Sequence, residues 1–278
     1  MKVTIRKKDS VTSILLFIFN IFLLPKERNS IRLNSILKVL VAFEKNETAI
    51  RMGLSRAVQN ELVSRSKDQG EVLYQLSEFG KSMIDNWRAT IKGYQANFPL
   101  QKQPWDMVWH LTIFSFPNTK QNERDELTGF LQSLGYGILN KGVWISPYDY
   151  SKEIAQKVGS LQISEYIHLL SAQIEKEQKK SSIESSVWEI SSLRQRYEAL
   201  IVKIDAAQSI AGELTAAQTL PILHELGLEF MEVISEDPQL PLEILGNWPA
   251  RDCVKKFMTL RERLIPRGEA FIKEILNM

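Results

Sequence analysis

The 278 residues are 44% hydrophobic and 24% charged, an ordinary globular balance that leaves room for a sizeable core in two or three domains. Cys253 is the lone cysteine, which excludes an intramolecular disulfide and a disulfide-stapled secreted fold and fits a reducing, cytoplasmic setting. Net charge is +2 but unevenly placed: residues 1–100 hold 16 Lys/Arg against 9 Asp/Glu (+7), the remainder 19 against 24 (−5), so the N-terminal part suits a polyanion.

The chain opens with Arg6-Lys7-Lys8 before an apolar run from Ile14 to Leu24. That order resembles a signal peptide. The run is short for a membrane span, contains Asn20 and has no small-residue cleavage site after it. It is expected as a buried first helix over 10–24, ended by Pro25, with no membrane partner. A second helix is expected over 31–43, with Ile31, Leu33, Ile36, Leu37, Leu40 and Val41 as its apolar face. A third begins near Asn46, Glu47 or Thr48 and places Ala49, Met52, Leu54, Ala57, Val58 and Leu62 inward. The period then changes to alternation at Val72, Tyr74 and Leu76, after the turn Asp68-Gln69-Gly70. A helix followed by a hairpin is the reading half of a winged helix-turn-helix. On that reading Arg51, Ser55, Arg56 and Gln59 meet base edges or phosphates of double-stranded DNA, and Arg65 and Lys67 are wing contacts. The same pattern also fits an ordinary helix and hairpin with a polar face. A fourth helix, 78–92, carries Phe79, Met83, Ile84, Trp87 and Ile91, and either connects domains or joins a dimer seam.

Gly93 to Pro104 reads as a linker. Strands at Trp109–Phe116, Tyr136–Leu139, Val143–Ser146 and Ile163–Leu170 interleave with helices at Lys120–Leu134 and Ser151–Val158. The order β-α-β-β-α-β is the ferredoxin-like arrangement. Residues 172–186 form a polar connector. Helical runs follow at 185–204, 214–234, 250–263 and 268–276, interrupted by the rigid stretch Asp237 to Pro241, a short turn at Leu242–Leu245 and Gly246-Asn247-Trp248-Pro249. The expected fold class is therefore α+β: a winged helix-turn-helix over 1–92, a ferredoxin-like middle domain over 105–172 and a mostly helical domain over 185–278.

No converging catalytic set is visible, and neither a cofactor nor a metal is expected. His110 and His168 fall on strands that could be neighbours, but a metal wants three or four ligands. His224 lies in a helix near Glu225 and Glu229. Gly135-Tyr136-Gly137 lacks the third glycine of a nucleotide fingerprint. Trp105, Trp109, Trp144, Trp188 and Trp248 are either core anchors or the lining of an acyl-coenzyme A pocket.

At this point the chain resembles the PaaX family, repressors of phenylacetic acid catabolism and related regulators. The resemblance is carried by Trp109, Phe116-Pro117, Arg124, Leu131, Leu134-Gly135-Tyr136-Gly137 and Gly142-Val143-Trp144-Ile145-Ser146-Pro147. It continues through the Trp188 to Tyr197 spacing, Asp237-Pro238, Leu240-Pro241 and Trp248-Pro249, with Arg51, Leu54, Ser55 and Arg56 in the third helix. It implies a homodimeric repressor on a palindromic operator, released in the archetype by phenylacetyl-coenzyme A; a large remainder without a catalytic set leads to the expectation that an acyl thioester or related aromatic acid binds between the middle and C-terminal domains. Trp144, Trp188 and His224 are then the effector-contact residues to weigh. A constitutive regulator, or an adaptor for another protein, is the alternative. The middle domain resembles a small nuclease subunit, but Ser115 or Phe116 stands where the nuclease keeps a metal-binding Asp, so no enzyme is expected. Three departures from the family pattern stand out: two acids, Asp68 and Glu71, in the wing; Ala57-Val58 and Glu61-Leu62 at the end of the third helix; and no Arg after His224-Glu225-Leu226-Gly227.

Overall fold

The computed structural model describes residues 10–173, 183 and 186–276. The Arg6-Lys7-Lys8 cluster and most of the polar connector lie outside the described residues. Two compact units share the chain. The first holds residues up to Lys92, then Tyr197–Ser235 and the stretch from Ala250 onward; the second holds Gly93–Arg196 and Glu236–Pro249.

In the first unit, α1 (Val11–Ile18) is capped by Ser10, whose hydroxyl accepts from the Ser13 N–H. It then loosens into a π-helical turn, Phe19–Leu23, and a 3-10 turn, Leu24–Lys26, that takes in Pro25. Ile14, Leu15, Leu16 and Ile18 are fully buried, as a helix apolar on all sides must be. Each such side chain contributes roughly 1.5–3 kcal/mol. The hydrophobic leader-like run is thus the core of this unit. No described helix is long and apolar enough to cross a membrane.

The expected second helix starts two residues late. Ser30–Arg32 is a strand, β1, and only Leu33–Val41 is helical, α2. Ile31 faces Tyr74 across an antiparallel ladder, because the outer edge of the wing hairpin offers it backbone partners that a helix start would leave unused. After α3 (Glu47–Gln59), strands β2 (Val63–Asp68) and β3 (Glu71–Leu76) form the wing, in sheet order β1-β3-β2. The connecting Gln69 and Gly70 both have positive φ, 50° and 85°, the pair required by the tight hairpin turn that suits twisted strands. Next comes α4, Glu78–Ala96, longer than the pattern suggested because it runs into the expected linker. Gln101, in the 3-10 turn that follows, is buried and donates to the Leu240 carbonyl.

The second unit contains β4 (Trp109–Phe114), α5 (Gln121–Ser133), β5 (Gly137–Asn140), β6 (Val143–Ser146), α6 (Ser151–Leu161) and β7 (Ile167–Ala172). The sheet order β5-β6-β4-β7, with every described pair antiparallel, is ferredoxin-like. The last strand begins four residues later than expected, after a 3-10 turn at Ser164–Tyr166. Phe114, Trp144, Leu127, Leu131, Ile154 and Val158 close the core between the sheet and its two helices.

Then α7 (Ile190–Ile210), α8 (Thr219–Glu236), α9 (Leu242–Leu245) and α10 (Ala250–Leu276) complete the chain. The two last helices expected from the sequence are one. Pro266 sits inside α10, where burial of Leu260, Leu264 and Ile272 on one continuous stripe outweighs the lost backbone bond. This helix packs on α2 and on the π-helical turn, so α10, most of α8 and the part of α7 from Tyr197 onward join the N-terminal elements in one body.

Candidate nucleic-acid interface

Asn46 caps α3, its side chain accepting from the Ala49 N–H at 2.8 Å. Ile50, Gly53, Leu54 and Ala57 face inward. Gly53 is set by close approach: a Cβ there would lie 2.4 Å from the Val11 Cβ, so the backbones of α1 and α3 meet through it. Met52, expected inward, is 54% exposed. It sits beside Arg51, Ser55, Arg56 and Gln59, all exposed, and these five occupy one continuous outer face. Arg65 and Lys67 lie on one face of β2, both exposed. The structure therefore groups all six expected contact residues on one helix and its following wing.

Their charges are not equivalent. Arg51 is already engaged: its Nε donates to Glu47 Oε1 at 2.8 Å and its guanidinium approaches the same oxygen at 2.6 Å. No acidic partner among the described residues is recorded for Arg56, Arg65 or Lys67. The wing acid Glu71 is paired at 3.0 Å with Arg32. Arg32 borders a shallow depression with Asn34, Arg51 and Glu71, close to the reading face. The sequence hid Arg32 by placing it inside a helix.

Among the three residues weighed for an effector, Trp144 is 4% exposed in the core of the second unit. Trp188 stacks on Trp109, with ring centres 5.9 Å apart, and donates to the Gly135 carbonyl. His224 belongs to the first unit: it is 5% exposed, 2.9 Å from the Ser13 hydroxyl, and edge-on to Phe17 and Phe43. It borders a cavity of about 370 Å³. His110 and His168 do stand on paired strands, but His110 faces Ser171 and His168 faces Ile113, so their side chains project to opposite sides of the sheet. Among the described residues no three His, Cys, Asp or Glu side chains converge as metal ligands.

Three family models match in succession: a PaaX-like protein model over residues 13–80, the PaaX protein central Cas2-like domain over 102–188 and the PaaX-like protein C-terminal domain over 188–274. The chain belongs to the PaaX family. Members of that family are non-catalytic DNA-binding regulators, and this PaaX-like protein is a transcriptional regulator that binds DNA and is not an enzyme. An uncharacterized protein from Mycobacterium tuberculosis, Rv0674, has a solved structure similar to this PaaX-like chain, with a TM-score of 0.56 at 19% identity over 94% of this chain and 96% of that one. That likeness shows the fold. No curated protein matches.

The signature residues of the family acquire physical reasons in the second unit. Asp237 accepts from the Tyr94 hydroxyl at 2.5 Å and the Trp248 indole at 3.0 Å, and its other oxygen accepts from the Gln239 N–H at 2.8 Å. Arg194 lies over the Trp248 ring at 5.1 Å and donates to the Leu245 carbonyl. Asp237 and Trp248 thus tie three chain segments together.

Proposed function

We propose that this protein is a homodimeric repressor that lays α3 in the major groove of a palindromic operator and leaves it when a small acyl thioester or aromatic acid binds. The observation that carries the reading is the outer face of α3, where Arg56 has no acidic partner among the described residues, followed by a wing that exposes Arg65 and Lys67 on one face. Unpaired cations on one side are what phosphate contact needs, while Arg51, Ser55, Arg56 and Gln59 supply donors that base edges accept. One such face reads only a few base pairs, so two-fold symmetry and paired half-sites follow naturally. Phosphate contacts by Arg65 and Lys67 would each lower the slope of log affinity against log salt by about 0.9 when removed.

The test is a mobility-shift assay with the upstream region of the protein's own operon against random duplex at matched salt. Preference for the operator is expected, and equal affinity for both sequences refutes sequence-specific repression. Light scattering checks the dimer, since a mass near the 32.0 kDa of one chain at working concentration refutes it. Loss of operator affinity on adding phenylacetyl-coenzyme A or another acyl thioester checks the effector. Unchanged affinity across the panel favours the alternative, a constitutive regulator.

A further inference from the structure

The cavity beside His224 lies wholly within the first unit, between α1 with its π-helical turn, α4, α8 and α10. Its walls are mostly apolar, with Phe17, Met83, Trp87, Met231, Phe257 and Ile265 among them. Among the described residues that line it, Arg261 is the one permanent cation.

Arg261 has no hydrogen bond or ion pair recorded among the described residues. It lies over the Phe257 ring at 5.7 Å. The neighbouring charge that acts on it is another cation, Arg88, and burial together with that charge holds its guanidinium below the ordinary arginine range. Arg88 turns away from it to Asn20, donating to the side-chain oxygen and to the backbone carbonyl, both at 2.8 Å. A half-buried guanidinium beside a like charge is stabilised when an anion completes it. A carboxylate meets an arginine fork through two parallel hydrogen bonds.

We propose that this cavity binds a small monocarboxylate with an apolar body, its carboxylate held by Arg261 and its hydrocarbon or aryl part against Phe17, Trp87 and Met231. About 370 Å³ lies at the small end of ligand sites, enough for a medium-chain or arylalkyl acid. The site also has a route to the DNA-reading face. Ser13, Phe17, Asn20 and Ile21 line the cavity, while Val11 and Thr12 of the same helix meet α3 at Gly53. The π-helical turn aims Asn20 and Ile21 at the cavity wall, and such turns cluster at functional positions. An occupant that favours one setting of α1 therefore biases α3. By linkage, DNA must alter the acid's affinity by the same factor. This second step rests on the reading of the chain as an effector-controlled repressor; the binding site itself does not.

The experiment titrates full-length protein with decanoate and 4-phenylbutyrate, with 4-phenylbutyramide as the neutral control, by calorimetry and by tryptophan fluorescence. One acid per chain is expected, with a fluorescence change that Trp87→Phe removes. Arg261→Gln should weaken both acids at least tenfold and leave the amide unchanged, and Arg261→Lys should recover most of the loss. Thermal unfolding of Arg261→Gln is expected at or above the parent temperature, since it removes an uncompensated charge. Gly227→Leu, which fills the cavity from α8, should abolish both acid and amide binding. Absence of binding by both acids, or equal acid affinity in Arg261→Gln, overturns the site. If acyl thioesters release the operator while neither acid binds, the site falls and the repressor reading stands. If the acids bind with operator affinity unchanged, the site stands and the coupling through α1 is overturned.

Discussion

Glu47→Gln should raise operator affinity. Glu47 opens α3 and holds Arg51 one turn later, with contacts of 2.6 and 2.8 Å between largely exposed side chains. An exposed i,i+4 pair contributes about 0.3–0.5 kcal/mol, and Arg51 forfeits it on turning to DNA. Removing Glu47's charge also removes an anion from a face that approaches phosphates. Together these effects predict a gain of about two- to fivefold per protomer at moderate salt, about 0.4–1 kcal/mol, and so about four- to twenty-fivefold for a dimer on both half-sites. The Asn46 cap is untouched, so helix content should hold. The discriminating assay is a double-mutant cycle by fluorescence anisotropy on labelled operator. Arg51→Ala should cost more in the Glu47→Gln background than in the parent, because only there is the full charge free. An identical cost in both backgrounds, or weaker binding by Glu47→Gln with unchanged circular dichroism, refutes the assignment of Arg51 to the DNA-reading face.

Gly53→Ala should lose stability although alanine favours helix by about 1 kcal/mol, because its Cβ would stand 2.4 Å from the Val11 Cβ and force α1 off α3 at a cost of about 1–3 kcal/mol. A lower urea midpoint together with weaker operator binding is expected, and a rise in midpoint refutes the close approach. Asp237→Ala should destabilise the second unit by about 1–3 kcal/mol, since the Tyr94 hydroxyl and the Trp248 indole both lose their acceptor. A thermal midpoint unchanged from the parent counts against that tie. Burial pushes the Cys253 thiol up to about 12, so native protein at pH 8 should resist iodoacetamide and react fully once unfolded. Rapid native labelling contradicts the burial.

The sequence by itself determined whatever depends on neighbours along the chain. The period of two in Val72, Tyr74 and Leu76 and the turn at Gln69-Gly70 specified the wing, and the register of β2 on β3 agrees with them. Val143–Ser146 was legible to the residue because glycine and proline punctuate it. The outer face of α3 was legible in part: Leu54 and Ala57 point inward as their spacing suggested, but Ile50 went unread as a core residue and Met52, taken as inward, lies on the outer face.

Only the tertiary structure decided what depends on partners distant in sequence. Ile31 became a strand residue because β3 offered it a ladder, a fact absent from its own periodicity. Pro266 stayed within α10 because the buried stripe on either side held the helix through it. The pairing of Glu47 with Arg51 was open to spacing alone, one turn apart on one helix, yet spacing could not say that Arg56 would be left without an acid among the described residues. Composition divided the chain by sequence order, whereas burial gathered residues up to Lys92 with Tyr197–Ser235 and the helix from Ala250 into one unit. Arg261 carries the clearest form of this limit. In sequence it is one of several charges in Arg261-Glu262-Arg263, and only the packing of α1, α4 and α8 around α10 sets it, half-buried, at the edge of an apolar cavity.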